Sequence, residues 1–560
     1  MNSSRTRAIR SAPSWRLPLT IHIVSLALAF AVLMYLARHI WFIYDEWEFL
    51  AGRIVTGNLQ VFTPHNEHWS TIPLLIDKGL FSAFGARTHV PYMATLIILH
   101  LGIATALWAI MRRAGADPVV IALLTLLFLF LGAGHDSILW ASQIGFNCSV
   151  LFGLIQLVLV DHDKRFGLRD VGGWVAGTLA LMSSGIGLPM LAAAAVAALL
   201  RRGWRGMIVT ASVPAVVYAW WLIAVGYRAL GSDHISLTEA LHLPVYIWMG
   251  LTTSLDGATG MVGAGAVLLL GLLAWALTRG WPLRRELVVP LSAAAGSIAL
   301  FALIGLARLA VIGAVVPARY VYIAIALLLP LAVVALSSAT RRGPLVRWGV
   351  AALIALMLIQ GAGVLRQQAG GWRATSEASR QRILGAAQLI ATGQPVVGGL
   401  PDPGGAPNLT TDELRSMVAH GQIRGEAPPT AAAALEVAAL MQVSLGPGAG
   451  MAADPSRATL ATVAGARLAR LGPGCVLLMP DSPTAHVDVQ VSGPAEVSLT
   501  PDRAASLTAE VRPRDGDLAA PVRLSDDAPA GAAAYLQVTN PALRVTVVIP
   551  TNLAVCGVQT

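Results

Sequence analysis

The stretch LPLTIHIVSLALAFAVLMYLARHIWFIYDEWE, Leu17 to Glu48, decides the fold. Its first part, Leu17 to Ala37, is an apolar run of the length, about 20 residues, that a helix needs to cross the hydrocarbon of a bilayer. A basic, Ser-rich leader precedes it. It ends in Met34-Tyr35-Leu36-Ala37-Arg38, bulky and basic where a signal peptide would carry a small-residue processing site. The expectation is an uncleaved anchor. Directly after it, Asp45 and Glu46 lie among interfacial aromatics, Trp41, Phe42 and Trp47.

The rest of the chain extends that reading. Of 560 residues, 56% are hydrophobic and only 12% charged, with a mean hydropathy of +0.66, more apolar than a soluble fold can bury. Apolar runs recur near 90–110, 118–134, 139–160, 172–184, 187–200, 207–229, 261–278, 287–306, 318–337 and 347–365, giving about eleven spans with the first. The two runs that flank Ser183-Ser184-Gly185 are short, as in a tight hairpin that does not fully cross. Beyond about residue 365, Pro, Gly, Asp and Arg return at the density of a soluble domain.

Net charge is +9, but the cations are not those of a nucleic-acid binder. Alternate loops carry Arg112-Arg113, Lys164-Arg165 with Arg169, Arg201-Arg202 with Arg205, Arg284-Arg285 and Arg341-Arg342, the pattern of cytoplasmic loops under the positive-inside bias. The N-terminus is then cytoplasmic, and an odd number of spans puts the tail outside. Lys78 and Lys164 are the only lysines and neither precedes Ser or Thr, so there is no Walker-type phosphate loop and an ATP-driven pump is disfavoured.

The outer loops hold the polar residues that topology does not need. Asp45 and Glu46 could bind a divalent cation or take a proton from a hydroxyl, or form an acidic stop beside an aromatic belt. In Thr63-Pro64-His65-Asn66-Glu67-His68-Trp69, a helix from Pro64 would set His65 and His68 on one face to meet phosphate or metal; the same residues also suit a plain helix start. Gly134-His135-Asp136-Ser137 leads into Trp140 and Gln143; its Asp136 is either a second acidic group or a cap for the next span. Arg308 and the pair Arg319-Tyr320 bracket an outer loop against the charge bias, where an arginine fork matches phosphate oxygens or snorkels to lipid. His100 and Gln156, inside spans, read as bonds between helices. The loop 231–260, with Asp233, His234, Glu239 and His242, reads as an amphipathic surface helix.

This order of parts resembles the GT-C class of membrane glycosyltransferases, and within it the bacterial members that carry an Asp-Glu-Trp followed by a His-Asn-Glu-His stretch, as Asp45-Glu46-Trp47 and His65 to His68 do here. The resemblance covers about the first 365 residues. It implies a sugar transferred from a polyprenyl-phosphate donor to an envelope glycan or glycolipid acceptor on the outer face. Asp45 or Glu46 would serve as base or metal ligand and Asp136 as a second base or ligand. Arg308 and Arg319, with Tyr320, would hold the donor phosphate, and His65, Glu67, His68, His135 and Gln143 would contact substrate or metal. A divalent cation, Mg or Mn, is the one cofactor implied.

The expected architecture is a polytopic α-helical membrane domain (1–365), a helical extracytoplasmic segment (366–456) and a β-rich domain (457–560). In the tail, helices are expected over 367–394, 411–420 and 430–443, and a β-sandwich from runs such as Val487 to Val491, Leu507 to Val511 and Leu543 to Ile549. Outside the cytoplasm Cys475 and Cys556 could pair, while Cys148 lies in a span. The Ala- and Arg-rich, Lys-poor composition suggests a bacterial plasma membrane. Two other classes fit many helices with few polar residues: a transporter or flippase of glycan precursors, and a non-catalytic envelope scaffold. The notable charges gather at span ends and not near the midplane on broken helices, which favours the enzyme over the transporter.

Overall fold

The computed structural model describes residues 16–229, 237–279, 284–312, 315–446, 455–522 and 528–559. Sixteen helices are described: α1 Arg16–Ala37, α2 Asp45–Phe49, α3 Thr71–Phe84, α4 Val90–Arg113, α5 Pro118–Leu129, α6 Asp136–Leu139, α7 Ile144–Val160 and α8 Leu168–Leu181, then α9 Gly187–Ala224, α10 Leu237–Thr259, α11 Ala264–Arg279, α12 Val288–Ile312, α13 Ala318–Thr340, α14 Pro344–Ala391, α15 Thr411–Ala419 and α16 Ala431–Met441. The chain is a polytopic α-helical membrane protein with a C-terminal α+β domain.

Each apolar run is helical, but not each forms a separate helix long enough to span a bilayer by itself. Among the described residues seven helices are long and apolar enough to span a bilayer, or eight if α10 and α11, bent by 111° at a short break, count as one. Helix α5 has 12 residues and α8 has 14, and α9 takes in two runs. Within α9, Gly203 at φ 70° interrupts the helix beside Arg201, Arg202 and Arg205, where the sequence places a basic loop. The last run continues without a break into the polar helix expected from residue 367, forming the 48-residue α14.

The chain divides into two units. The first comprises Met1–His39, Gln60–Ile76 and Val90–Trp372; the second comprises Ile40–Leu59, Asp77–His89 and Arg373–Thr560. No composition shift marks the two early segments that fold with the tail. In the first unit α4, α7, α8, α9, α12 and α13 pack as a bundle. His100 of α4 is fully buried; its Nε2–H donates to Leu129 O (3.2 Å), so Nδ1 accepts from the Tyr322 hydroxyl of α13 (2.7 Å). It bonds neighbouring helices, as expected. Gln156 is buried against Gly177 of α8, but neither its amide nitrogen nor its oxygen has a hydrogen-bond partner among the described residues, so the expected bond between helices is not made.

The arginine-bearing loops of this unit meet at one end of the bundle. Arg113 and Arg169 both donate to Val158 O (3.1 and 2.9 Å), Arg201 pairs with Asp161 (2.6 Å), Arg202 with Asp170 (2.7 Å) and Arg285 with Asp163 (2.7 Å). Asp170 is fully buried and also accepts from Gly167 N (3.0 Å), and the His162 ring lies 3.5 Å away. Burial first, then the Arg202 guanidinium, hold His162 below its ordinary range against the pull of Asp170.

In the second unit, strands β1 Val443–Gly446, β2 Ala458–Ala464, β3 Ala466–Gly472, β4 Cys475–Pro480, β5 His486–Val491, β6 Ala495–Pro501, β7 Ala509–Pro513, β8 Ala520–Val522, β9 Ala534–Val538, β10 Leu543–Val548 and β11 Leu553–Cys556 form two antiparallel sheets. Their orders are β1-β9-β6-β11-β4-β3 and β2-β5-β10-β7-β8. Alternation builds the core: on β10, Leu543, Val545 and Val547 are buried while Arg544 and Thr546 are less so. The sandwich begins with β1, upstream of the expected start at residue 457. Cys475 and Cys556 face each other across β4 and β11 and are joined in a disulfide.

Candidate active site

At the N-terminal end of α7, across the bundle from the arginine cluster, the chain between α5 and α7 folds back in short turns. A helix rises about 1.5 Å per residue, so the 17 residues of α7 separate the two ends by roughly 25 Å. Helix α5 starts with Asp117 accepting from Val119 N (2.8 Å) and Pro118 in the first turn, and stops where Gly132 meets α14. A Cβ at Gly132 would lie 2.3 Å from Gly361 O, so only glycine allows this approach. The one-turn α6 then begins at Asp136, and Asn147 Nδ2 of α7 donates to Ser137 O (2.9 Å), pinning it. Asp136 therefore heads α6 and does not cap the following span.

Asp136 Oδ1 lies 3.2 Å from His135 Nδ1, and its Oδ2 lies 4.0 Å from Arg319 Nη1 at the start of α13. The two charged side chains are 13% and 24% exposed. At 4.0 Å the pair is long, and Arg319 makes no hydrogen bond among the described residues, so its fork keeps donors for a third group. Its guanidinium carbon sits 5.3 Å from the centre of the Tyr320 ring. Tyr320 lies near-parallel to Phe146 (6.3 Å, 24°), and Phe146 meets His68 edge-on (5.5 Å, 75°). Asp136, His135, Arg319, Tyr320, Phe146 and His68 form one chain of contacts within the first unit.

His68 arrives by a route other than the expected helix. His65 and His68 exchange both backbone hydrogen bonds (3.0 Å each) across a two-residue turn with Asn66 at φ 51°. Asn tolerates that left-handed backbone, so a tight turn replaces the helix that Pro64 would start. Residues paired across such a bridge point to one side, so the two imidazoles share a face after all. Glu67 occupies the turn. Gly185 leaves room for the ring: a Cβ there would lie 2.9 Å from His68 Nδ1. Gln143, buried in the turn before α7, keeps its Oε1 without a partner among the described residues. The backbone of Arg308 lies late in α12 and its side chain is outside the described residues, as are Asp233, His234 and the side chain of Glu239; His242 is on α10.

Asp45 and Glu46 belong to the second unit. Glu46 is buried with both oxygens engaged: Ile43 N donates to Oε2 (2.8 Å), and His89 Nε2 lies 2.9 Å from Oε1. The other ring nitrogen of His89 donates to Ile40 O (3.0 Å). This clasp closes the segment 40–46, and Glu46 is committed to it. Asp45 makes no hydrogen bond or ion pair among the described residues. It follows Tyr44, held at φ 56° and ψ −124° by Tyr44 N donating to Gly405 O (2.6 Å). Such a non-glycine conformation costs about 1–3 kcal/mol and persists only where its surroundings hold it. Asp77, half-buried on α3, is pushed well above the usual carboxylate range by burial first and by Glu46 second.

Phe146, His89 and Asp77 carry parts of these arrangements that sequence reasoning did not assign. Asp77 had a signal, a carboxylate inside the apolar Thr71–Phe84; His89 had none. Among the described residues no group of three His, Cys, Asp or Glu side chains is placed to hold a metal ion.

No protein-family model matches the sequence, and no curated protein matches it. Among solved structures, the chain is similar to ArnT from Cupriavidus metallidurans, crystallised bound to undecaprenyl phosphate, at 15% identity and a TM-score of 0.45, over 72% of this chain and 89% of that one.

Proposed function

We propose that this protein is a membrane glycosyltransferase that moves a sugar from a polyprenyl-phosphate donor to an envelope glycan or glycolipid acceptor on the extracytoplasmic face of a bacterial plasma membrane. The observation that carries the reading is the long Arg319–Asp136 pair beside Tyr320, Phe146 and His68, at the end of the bundle opposite the arginine-bearing loops. An acid and a cation with unspent donors, at the end of spans, suit a substrate whose phosphate lies at headgroup depth.

In the reaction an acceptor hydroxyl attacks the anomeric carbon. The new bond joins acceptor oxygen to that carbon as the bond from carbon to the phosphate oxygen breaks, and the hydroxyl proton passes to a carboxylate. The Arg319 guanidinium stabilises the charge that grows on the departing lipid phosphate. Asp136 is the base candidate of the first unit and Asp45, exposed enough to react, that of the second.

The test is transfer from labelled polyprenyl-phosphate sugars by purified protein in proteoliposomes. Asp136→Asn is expected to lower the rate by about 10²–10⁴ with folding intact, the range of a lost general base. If Asp45→Asn does so instead, the base lies in the second unit. Undiminished transfer by both variants, or none by the parent protein with any such donor, would refute the reading.

A further inference from the structure

A second basic feature lies wholly within the second unit and takes no part in the transfer chemistry. A cavity of about 280 Å³ is lined by Trp41, Ala86, Arg87, Arg380, Leu384, Arg424 and Glu426. Its three arginines come from separate segments: the turn after α3, the extension of α14 and the loop after α15. They are not equally spent. Arg380 bridges Glu377 and Glu426 and so is largely neutralised. Arg87 commits only Nε, to Gly421 O (2.6 Å), which fixes its guanidinium plane and leaves its terminal nitrogens. Arg424 makes no hydrogen bond or ion pair among the described residues.

The floor matters as much as the cations. Trp41 and Leu384 are 6% and 5% exposed, and Trp41 is held from below by Ser376 Oγ accepting its backbone N–H (3.1 Å). An apolar floor keeps water from one side of the guanidinium groups and strengthens their field in the cavity. Three cations against one lining carboxylate select an anion, and each guanidinium fork matches a pair of oxygens on one atom, as a phosphate presents on more than one edge. We propose that this cavity is a binding site for a phosphate-bearing ligand, with Arg424 and Arg87 as its principal donors and Arg380 as the strut between them.

The ligand's phosphate could belong to a soluble phosphate compound or to a lipid headgroup. Equilibrium dialysis of the full chain in detergent, carrying Arg319→Ala to remove the cation assigned to the donor, separates them with two probes: inorganic pyrophosphate and dihexanoyl-phosphatidylglycerol below its micelle concentration. Saturable binding of either is expected, and the better probe names the source. Arg424→Glu should weaken it at least about tenfold, the loss of one charge-assisted hydrogen bond. Arg87→Gln should weaken it as well. Arg424 is exposed and unpaired, so the melting temperature should not move; if Arg424→Glu unfolds the protein, Arg424→Gln replaces it. Binding by the Arg424 variant equal to its parent, or binding of neither probe, overturns the proposal. Neither outcome bears on the transferase reading, which this binding does not require.

Discussion

The two ends of the helical bundle use the same residue types to opposite effect. At one end Arg201, Arg202 and Arg285 meet Asp161, Asp170 and Asp163 at 2.6–2.7 Å, and Arg113 and Arg169 cap the carbonyl of Val158. Charges there are answered within the protein, and the result is an anchor. At the other end Arg319 and Asp136 stand 4.0 Å apart with donors to spare, flanked by aromatic rings and a histidine. The contrast teaches that a close ion pair spends its charge on structure, while a loose one leaves donors open, and the proposed function assigns those to a ligand.

Changes at each end should therefore differ in kind. The largest effect belongs to Asp136→Asn, which should remove about 10²–10⁴ of the transfer rate while the melting temperature holds. Arg202→Ala should do the reverse: it leaves the buried Asp170 without its guanidinium partner, with only Gly167 N and the His162 ring beside it, costing about 3 kcal/mol by thermal or denaturant unfolding, with transfer per folded molecule preserved. Asn147→Ala falls between, because it frees α6 from α7. A stability loss of about 1–2 kcal/mol is expected, with a drop in kcat as Asp136 loses its fixed position. A rise in KM with kcat unchanged would break the comparison. The smallest effect is a pH dependence. His162 is held below its ordinary range, so its stabilising contribution is present above the unfolded imidazole pKa and lost as pH falls through the lower folded one. His162→Gln should flatten the acid limb of a stability profile and leave neutral pH unchanged.

Much of this was legible in the sequence because it depends on period and composition. Apolar runs became helices, alternating valines became the sandwich, and Cys475 and Cys556 met as a bridge. Of the arginines in the loops expected on one side, Arg113, Arg169, Arg201, Arg202 and Arg285 gather at one end of the bundle. Asp136, Arg319, Tyr320 and His68 were singled out, and the structure links them. What escaped was decided by tertiary contact. The His65–His68 turn depends on one residue, Asn66, accepting a left-handed backbone that no hydrophobic pattern announces. The clasp of Glu46 by His89 joins residues 43 positions apart with nothing regular in their spacing. Residues 40–59 and 77–89 fold with the tail because of partners more than 300 positions away, such as Ser376 for Trp41 and Gly421 for Arg87.

The contrast between spent and unspent charge is tested most directly by the binding of a labelled short-chain polyprenyl phosphate to protein in nanodiscs of zwitterionic lipid. Two variants are compared with the parent chain: Arg319→Ala at the loose end, and Arg285→Ala, an 80% exposed cation at the anchored end. The expected result is affinity at least about tenfold lower for Arg319→Ala, one charge-assisted contact, and unchanged for Arg285→Ala. Equal affinity for all three, or loss only in Arg285→Ala, would contradict the assignment of the Arg319 end as the one that holds the lipid phosphate.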